Sequence, residues 1–266
     1  MLLVTDLDGT LLTSQKIISP RTRQALVQFH QRGGQLAACS ARPVSSMVRL
    51  LQQQNVDALF SWCAGFNGGK ILEMTQQRIT HSAALSCMDL RDIDRHISLS
   101  RYAHHFFSAE AIYHRYDRPV APWTTYEAEL FMLPLLSAAP GALFERSDIY
   151  KITVVAEQSK INQLNIDINN HLPSGFNATI TGGNYIDIQR VEINKGYAVS
   201  QLTRQISLPA MQVVAIGDQQ NDVSMFAAAD IGIAMGNAPE SVKQQANYVT
   251  NTNDDEGIVR ALEWLR

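Results

Sequence analysis

Both ends of the chain alternate short apolar segments with helix-patterned ones, and the middle does not. Residues 1–5 form a short apolar run that reads as a buried strand entering the polar turn Asp6-Leu7-Asp8-Gly9-Thr10. Ser19-Pro20 has the form of a helix start, with Ser at the N-cap and Pro at the first helical position. Ala25, Leu26, Phe29 and His30 follow at helical spacing, and Gly33-Gly34 ends the helix. Residues 35–39 read as a second strand and 43–54 as a second helix, with Val44, Met47, Val48 and Leu51 on one face. The alternation returns at Asn194, with a helix over 194–206 that turns Ala198, Val199 and Leu202 inward. A strand over 211–216 then ends at Gly217-Asp218. A helix at 223–229, a strand at 231–234 and helices at 241–246 and 257–265 complete the pattern. Such alternation implies a parallel sheet with right-handed crossovers.

Between these ends the pattern changes. Residues 103–108 and 111–116 read as a hairpin, 149–156 as a strand, and 178–181 with 185–188 as a pair turning at Gly182-Gly183-Asn184. Residues 89–100 and 159–172 read as helices. Strands in pairs beside helices predict an α+β unit. The expected architecture is therefore an α/β protein. A Rossmann-like parallel core is made from residues 1–81 and 188–266, and an α+β domain from 82–187 is inserted into it.

Composition suits this reading. The 266 residues fit one large domain or two unequal ones, and 45% hydrophobic content with 18% charged residues excludes a disordered chain, a collagen-like repeat and a coiled coil. A net charge of −3 argues against a nucleic-acid partner. No apolar run approaches the ~18 residues that span a membrane, and the first residues lack the basic segment of a secretory signal. Cys39, Cys63 and Cys87 are odd in number and form no C-x-x-C pair, which predicts neither a disulfide framework nor zinc and fits a reducing cytoplasm.

Candidate chemistry gathers where strands end. In extended chain Asp6 and Asp8 point the same way, about 6.5–7 Å apart, at the end of a strand where open α/β sheets bind ligands. Asp218 follows another strand, and Asp222 lies one helical turn further on. Carboxylates converging on one sheet edge repel each other unless a hard cation joins them. Oxygen ligands without His or Cys favour Mg²⁺. Ser40-Ala41-Arg42 after the second strand offers a hydroxyl and a cation. Lys195 stands at a helix start, where backbone N–H groups favour an anion. That set suits phosphate.

These residues carry a resemblance. Asp6-Leu7-Asp8-Gly9-Thr10, Ser40, Lys195-Gly196 and Gly217-Asp218 with Asn221-Asp222 resemble the four motifs of the haloacid dehalogenase (HAD) superfamily. The Asn67-Gly68-Gly69 turn and the run from Gly232 to Ala238 resemble its Cof-type sugar-phosphatase branch, which carries a large α/β cap. The resemblance implies a Mg²⁺-dependent, cytoplasmic phosphatase that hydrolyses a small phosphorylated metabolite through an aspartyl-phosphate. It implies Asp6 as nucleophile and Asp8 as proton carrier. Asp6, Asp8 (through its carbonyl), Asp218 and Asp222 surround the metal, with Asn221 and Asp222 ordering the site from behind. Thr10, Ser40, Ala41, Arg42, Asn67, Lys195 and Asn221 lie on the substrate side. Two departures stand out: Ser40-Ala41-Arg42 replaces the usual Thr-Gly-Arg, and Glu192-Ile193 replaces Gly-Val ahead of Asn194.

The inserted domain is expected to select the substrate. Trp123, Tyr126 and Glu127 follow Pro119 and Pro122 in a stretch without clear period, where aromatics are more often buried in a small core than in contact with a ligand. His104 and His105 alternate in a strand, so at most one is expected to face the core. Competing functions are a phosphomutase or phosphotransferase on the same core and a regulator that only binds a phospho-ligand. Retention of both Asp6 and Asp8 counts against the regulator.

Overall fold

The protein, seen here as a computed structural model, is described over residues 1–206 and 212–265. Met211, expected at the head of a strand, lies outside the described residues. The chain runs β1 (Leu2–Thr5), α1 (Pro20–Gln31), β2 (Gln35–Cys39), α2 (Val44–Gln53), β3 (Phe60–Gly65), β4 (Lys70–Glu73) and β5 (Arg78–Ser82). It continues through α3 (Cys87–Ile97), β6 (Ala103–Ser108), β7 (Ile112–Arg115), α4 (Pro122–Leu130), β8 (Leu135–Ala138), α5 (Pro140–Phe144), β9 (Ile149–Val155), α6 (Ile161–His171), β10 (Phe176–Gly182) and β11 (Tyr185–Arg190). The last third holds α7 (Lys195–Ile206), β12 (Val213–Gly217), α8 (Val223–Ala228), β13 (Ile231–Ala234), α9 (Glu240–Lys243), β14 (Tyr248–Val249) and α10 (Gly257–Trp264).

Two compact units result, Met1–Ser82 with Asn194–Arg266, and Ala83–Ile193. The second crossing falls at 193 rather than 187 because β11 continues to Arg190 as a paired strand.

The first unit carries one sheet in the order β14-β13-β12-β1-β2-β3-β4-β5. It is parallel from β14 to β3, as an α/β fold requires. Beyond the parallel core, β4 and β5 extend the sheet antiparallel after a tight turn at Asn67-Gly68-Gly69. Gly68 sits at φ +99°, and a Cβ there would come within 2.8 Å of Ala198 Cβ on α7, so both backbone and packing demand glycine. β1 is central, and Leu2, Leu3, Val4 and Thr5 are all 0% exposed, as for a strand covered on both faces. Leu2, Val4, Ala37 and Cys39 pack on one face against Ala198, Val199, Leu202, Met225 and Phe226 of α7 and α8. At α1, Ser19 Oγ accepts from the Thr22 N–H at 3.0 Å and Pro20 opens the helix, as its sequence predicts. Among the described residues no helix is long and apolar enough to cross a membrane.

The inserted unit has a six-stranded sheet, β10-β11-β9-β6-β7-β8, antiparallel except between β7 and β8. Phe106, Ile152, Val154, Ile186 and Ile188 face α3, α5 and α6 in its core. The opposite face is covered by α4, through His105 Nδ1 and Thr124 Oγ1 at 2.9 Å and His105 Nε2 and Glu127 Oε2 at 2.7 Å. Both histidines are buried, His104 at 9% and His105 at 0% exposure, on opposite faces of β6, His104 on the face of Phe106 and His105 against α4. Trp123 and Tyr126, expected inside, lie exposed on α4, and Glu127 is the buried member of the three.

His104 gives this unit a pH dependence. Its Nδ1 lies 2.9 Å from the Tyr102 carbonyl, its buried Nε2 has no hydrogen-bond partner among the described residues, and burial pushes its pKa down to about 4. The unfolded chain takes up this proton near 6.5. Stability from this group is therefore complete above pH 6.5 and is lost as pH falls toward 4, by up to roughly 3 kcal/mol. Urea unfolding followed between pH 7.5 and 4.5 should show that loss, and His104→Gln should flatten it; an equally steep profile in the variant refutes the assignment.

Candidate active site

β1 and β12 are parallel neighbours, with Thr5 opposite Ile216, so Asp6 and Asp218 leave the sheet side by side. From β1 the sheet grows through β2 in one direction and through β12 in the other. The two aspartates thus flank the point where strand order reverses, the usual ligand crevice of an open α/β sheet. The Asp6 N–H donates to the Ile216 carbonyl at 3.0 Å, which ties the turn to the neighbouring strand. Gly9 then bends the chain at φ +77°; a Cβ there would fall 2.5 Å from Asp218 Oδ2.

Lys195, at the start of α7, is 2% exposed and joins the two strand ends. Its Nζ donates to Asp6 Oδ1 at 2.7 Å and to Asp222 Oδ1 at 2.5 Å. Asp222 Oδ2 accepts from the backbone N–H groups of Asp218 and Gln219, each at 2.8 Å. Asp222 therefore orders the turn and the lysine from behind the site, and its carboxylate is fully buried. Asp218 Oδ1 accepts from Thr10 Oγ1 at 2.9 Å, and Oδ2 from Gln219 Nε2 at 2.9 Å. Oxygens of Asp6, Asp218 and Asp222 all lie within 4.8 Å of one another.

The other residues named from sequence fall around this cluster. The Ser40 hydroxyl is buried after β2 and accepts from the Arg42 N–H at 3.3 Å. The Asn67 N–H donates to the Ser40 carbonyl at 2.9 Å, and the Asn67 side-chain Oδ1 accepts from Asn221 Nδ2 at 3.4 Å. Ala41 is half-buried between Ser40 and Arg42. Asp8 turns its carboxylate away from the cluster. Arg42 grips it through Nε at 2.6 Å and Nη2 at 2.8 Å, and Lys16 Nζ adds a third bond at 2.9 Å.

Electrostatics separate the two turn aspartates. Burial pushes the Asp6 carboxyl up, Lys195 pulls it back, and Asp222 with Asp218 push it up again, leaving it near 8. Burial also raises Asp218. Asp8 is pushed up by burial too, but Arg42 and Lys16 outweigh this and hold it at about 2. Three buried carboxyl groups thus share one ammonium, and the raised Asp6 and Asp218 mark a shortage of positive charge that a divalent cation would relieve. The donor set is all oxygen. Burial holds the nearby Cys39 thiol up at about 12, so it offers no thiolate. The site fits Mg²⁺.

Sequence reasoning missed Lys16, Gln219 and Asn237. Asn237 Nδ2 donates to the Gly9 carbonyl at 2.9 Å, fastening the first turn from the far end of the chain. Lys16 sits at φ +61°, a left-handed conformation that has no signature in its residue type.

Comparison with known proteins agrees with the geometry. A family model described as haloacid dehalogenase-like hydrolase matches residues 3–262. The 5-amino-6-(5-phospho-D-ribitylamino)uracil phosphatase YcsE of Bacillus subtilis (strain 168) is 26% identical over 270 residues, covering 99% of this chain and 95% of its own. The crystal structure of a haloacid dehalogenase-like hydrolase from Bacteroides thetaiotaomicron superposes with TM-score 0.86 at 26% identity, covering 100% of this chain and 99% of that one. The HAD subclass IIB sugar phosphatase BT4131 shares the fold, with TM-score 0.82, 20% identity and coverage of 99% and 98%.

Proposed function

This chain belongs to the haloacid dehalogenase-like hydrolase family and is a phosphatase, and on that premise we propose that it hydrolyses a small phosphorylated metabolite by way of an aspartyl-phosphate on Asp6, with Mg²⁺ held at the acidic cluster. The observation that carries this reading is the meeting of buried Asp6, Asp218 and Asp222 with the Lys195 ammonium at two adjacent strand ends.

Asp6 and Asp218 are the residues that would hold the ion, together with the Asp8 carbonyl. When bound, Mg²⁺ supplies the positive charge that lets one anion approach another. The remaining steps belong to the chain. Lys195 holds Asp6 Oδ1, which leaves Oδ2 for attack on phosphorus. The bond to the leaving oxygen breaks as the Asp6–phosphorus bond forms, and Asp8 gives that oxygen a proton. Asp8 then takes a proton from the water that opens the acyl phosphate, so no net proton stays on the enzyme. Arg42 and Lys16 hold Asp8 ionised as it stands, the form that takes a proton from water; to give the leaving oxygen its proton, Asp8 must first let go of these two cations and be protonated. The Ser40 hydroxyl and Lys195 bind phosphoryl oxygens, and rigid strand ends supply the alignment. The inserted unit selects the leaving group. YcsE is named for a phosphorylated ribityl compound and BT4131 for sugar phosphates, which supports a polyhydroxylated substrate.

The test is phosphate release from a panel of sugar phosphates, pyridoxal phosphate, flavin mononucleotide and 5-amino-6-(5-phospho-D-ribitylamino)uracil. Chelator should remove activity, Mg²⁺ should restore it, and Ca²⁺ should support it poorly because its looser coordination misplaces the nucleophile. Full activity in chelator refutes the metal assignment. Formation of an isomeric phosphate ester in place of free phosphate points to the mutase instead.

A further inference from the structure

Between α1 and α10 lies a cavity of about 460 Å³ that contains none of the residues assigned to phosphoryl transfer. Its size falls within the roughly 300–1,000 Å³ of small-molecule sites. On α1 it is lined by Arg21, Ala25, Gln28 and Phe29, which share one helix face, and by Arg32, the residue that caps the helix at its C-terminal end. Val259 and Leu262 face them from α10. Between the two arginines the lining is mixed, with Gln24 and Gln28 beside the apolar Ala25, Phe29, Val259 and Leu262. Eleven residues separate the two arginines, about 16 Å along the helix axis.

The charge is one-sided. Among the described residues no acidic side chain lines the cavity. Among them, too, neither guanidinium has a carboxylate partner, whereas Arg42, Arg78, Arg91, Arg95, Arg115 and Arg146 each do. The two ends differ. Glu256 accepts from Ser19 and Thr22 at the start of α1, which places a carboxylate near the Arg21 end. At the Arg32 end the Gln28, Phe29 and His30 carbonyls accept from the N–H groups of Arg32, Gly34 and Gly33, and among the described residues no carboxylate pairs with the Arg32 guanidinium.

We propose that this cavity binds an extended apolar carboxylate, with its head on Arg32 and its chain along Ala25, Phe29, Val259 and Leu262. A guanidinium presents a fork of donors matched to a carboxylate, and the apolar walls take up a chain of about eight carbons. This site is independent of the phosphatase reading and fails or succeeds apart from it.

Octanoate is the probe, titrated calorimetrically into the full chain, with octan-1-ol as the neutral analogue. One saturable site is expected, with octan-1-ol bound at least about tenfold more weakly, since a hydrogen bond to a charged group is lost. Arg32→Ala should weaken octanoate by a similar factor, and Arg21→Ala by less. Ala25→Phe should fill the cavity and remove binding. Turnover of p-nitrophenyl phosphate should be unchanged in all three variants, which shows that they fold. Absence of saturable binding, equal affinity for octan-1-ol, or unchanged affinity in Arg32→Ala overturns the proposal.

Discussion

Replacing Asp6 by Asn abolishes turnover, with an expected loss of at least about 10⁴-fold in kcat. Uncatalysed phosphate-monoester hydrolysis is among the slowest known reactions, so little background remains once the attacking oxygen is gone. The same change removes a carboxylate from the acidic cluster proposed to hold Mg²⁺. It does not threaten the fold. The Asp6 carboxyl is buried and already pushed up to about 8, so an amide of equal size relieves repulsion from Asp218 and Asp222. Lys195 keeps Asp222 as a partner. The check is a quenched reaction with labelled substrate. The native protein should carry label on a peptide containing Asp6, and the variant should carry none while unfolding at the same urea concentration or a higher one. Label on Ser40 or a histidine, or substantial activity in the variant, overturns the assignment of the nucleophile.

Lys195→Met should cost stability as well as activity. The ammonium is 2% exposed and neutralises two carboxylates, 2.7 and 2.5 Å away. Methionine fills the volume and leaves both carboxylates without their partner. Breaking a buried pair from one side costs about 3–5 kcal/mol. Since the penalty is electrostatic, it should shrink when Mg²⁺ supplies charge and when acid protonates the carboxylates. Urea unfolding in chelator should show the full loss, and adding Mg²⁺ should recover part of it. A midpoint equal to that of the native protein in chelator refutes the role. Turnover should fall by about 10²–10³-fold, the cost of one electrostatic contact to the transferring group.

Asp6, Asp218 and Lys195 were legible because each comes directly after, or opens, an element whose pattern is plain. An apolar strand must end, and the residues just beyond it lie at the sheet edge. Register then does the rest, since Thr5 pairs with Ile216. Asn237 and Lys16 reach the site only through loops that fold back over it, and no periodicity reports such a return. Asp8 was legible as a site residue but not in its orientation, because Arg42 draws it aside only once β2 lies next to β1. In the inserted unit α4 escaped notice for a different reason. It buries Thr124 and Glu127 and exposes Trp123, so polarity and burial run against each other. β4 and β5 are short strands with mixed sides, and only the pairing of β4 with β3 and of β5 with β4 defines them.

The position of β1 also orders events during synthesis. Leu2 pairs with Gln35 on one side and with Val213 on the other. The first partner leaves the ribosome within seconds, whereas the second emerges some 10–40 s later at about 5–20 residues per second. Throughout that interval the apolar edge of β1 stays open, and by its end every strand of the inserted sheet, from Ala103 to Arg190, has emerged. Because Asp6 follows one side of this late junction and Asp218 the other, the two strand ends that carry the acidic cluster can meet only after the strands of the inserted unit have emerged.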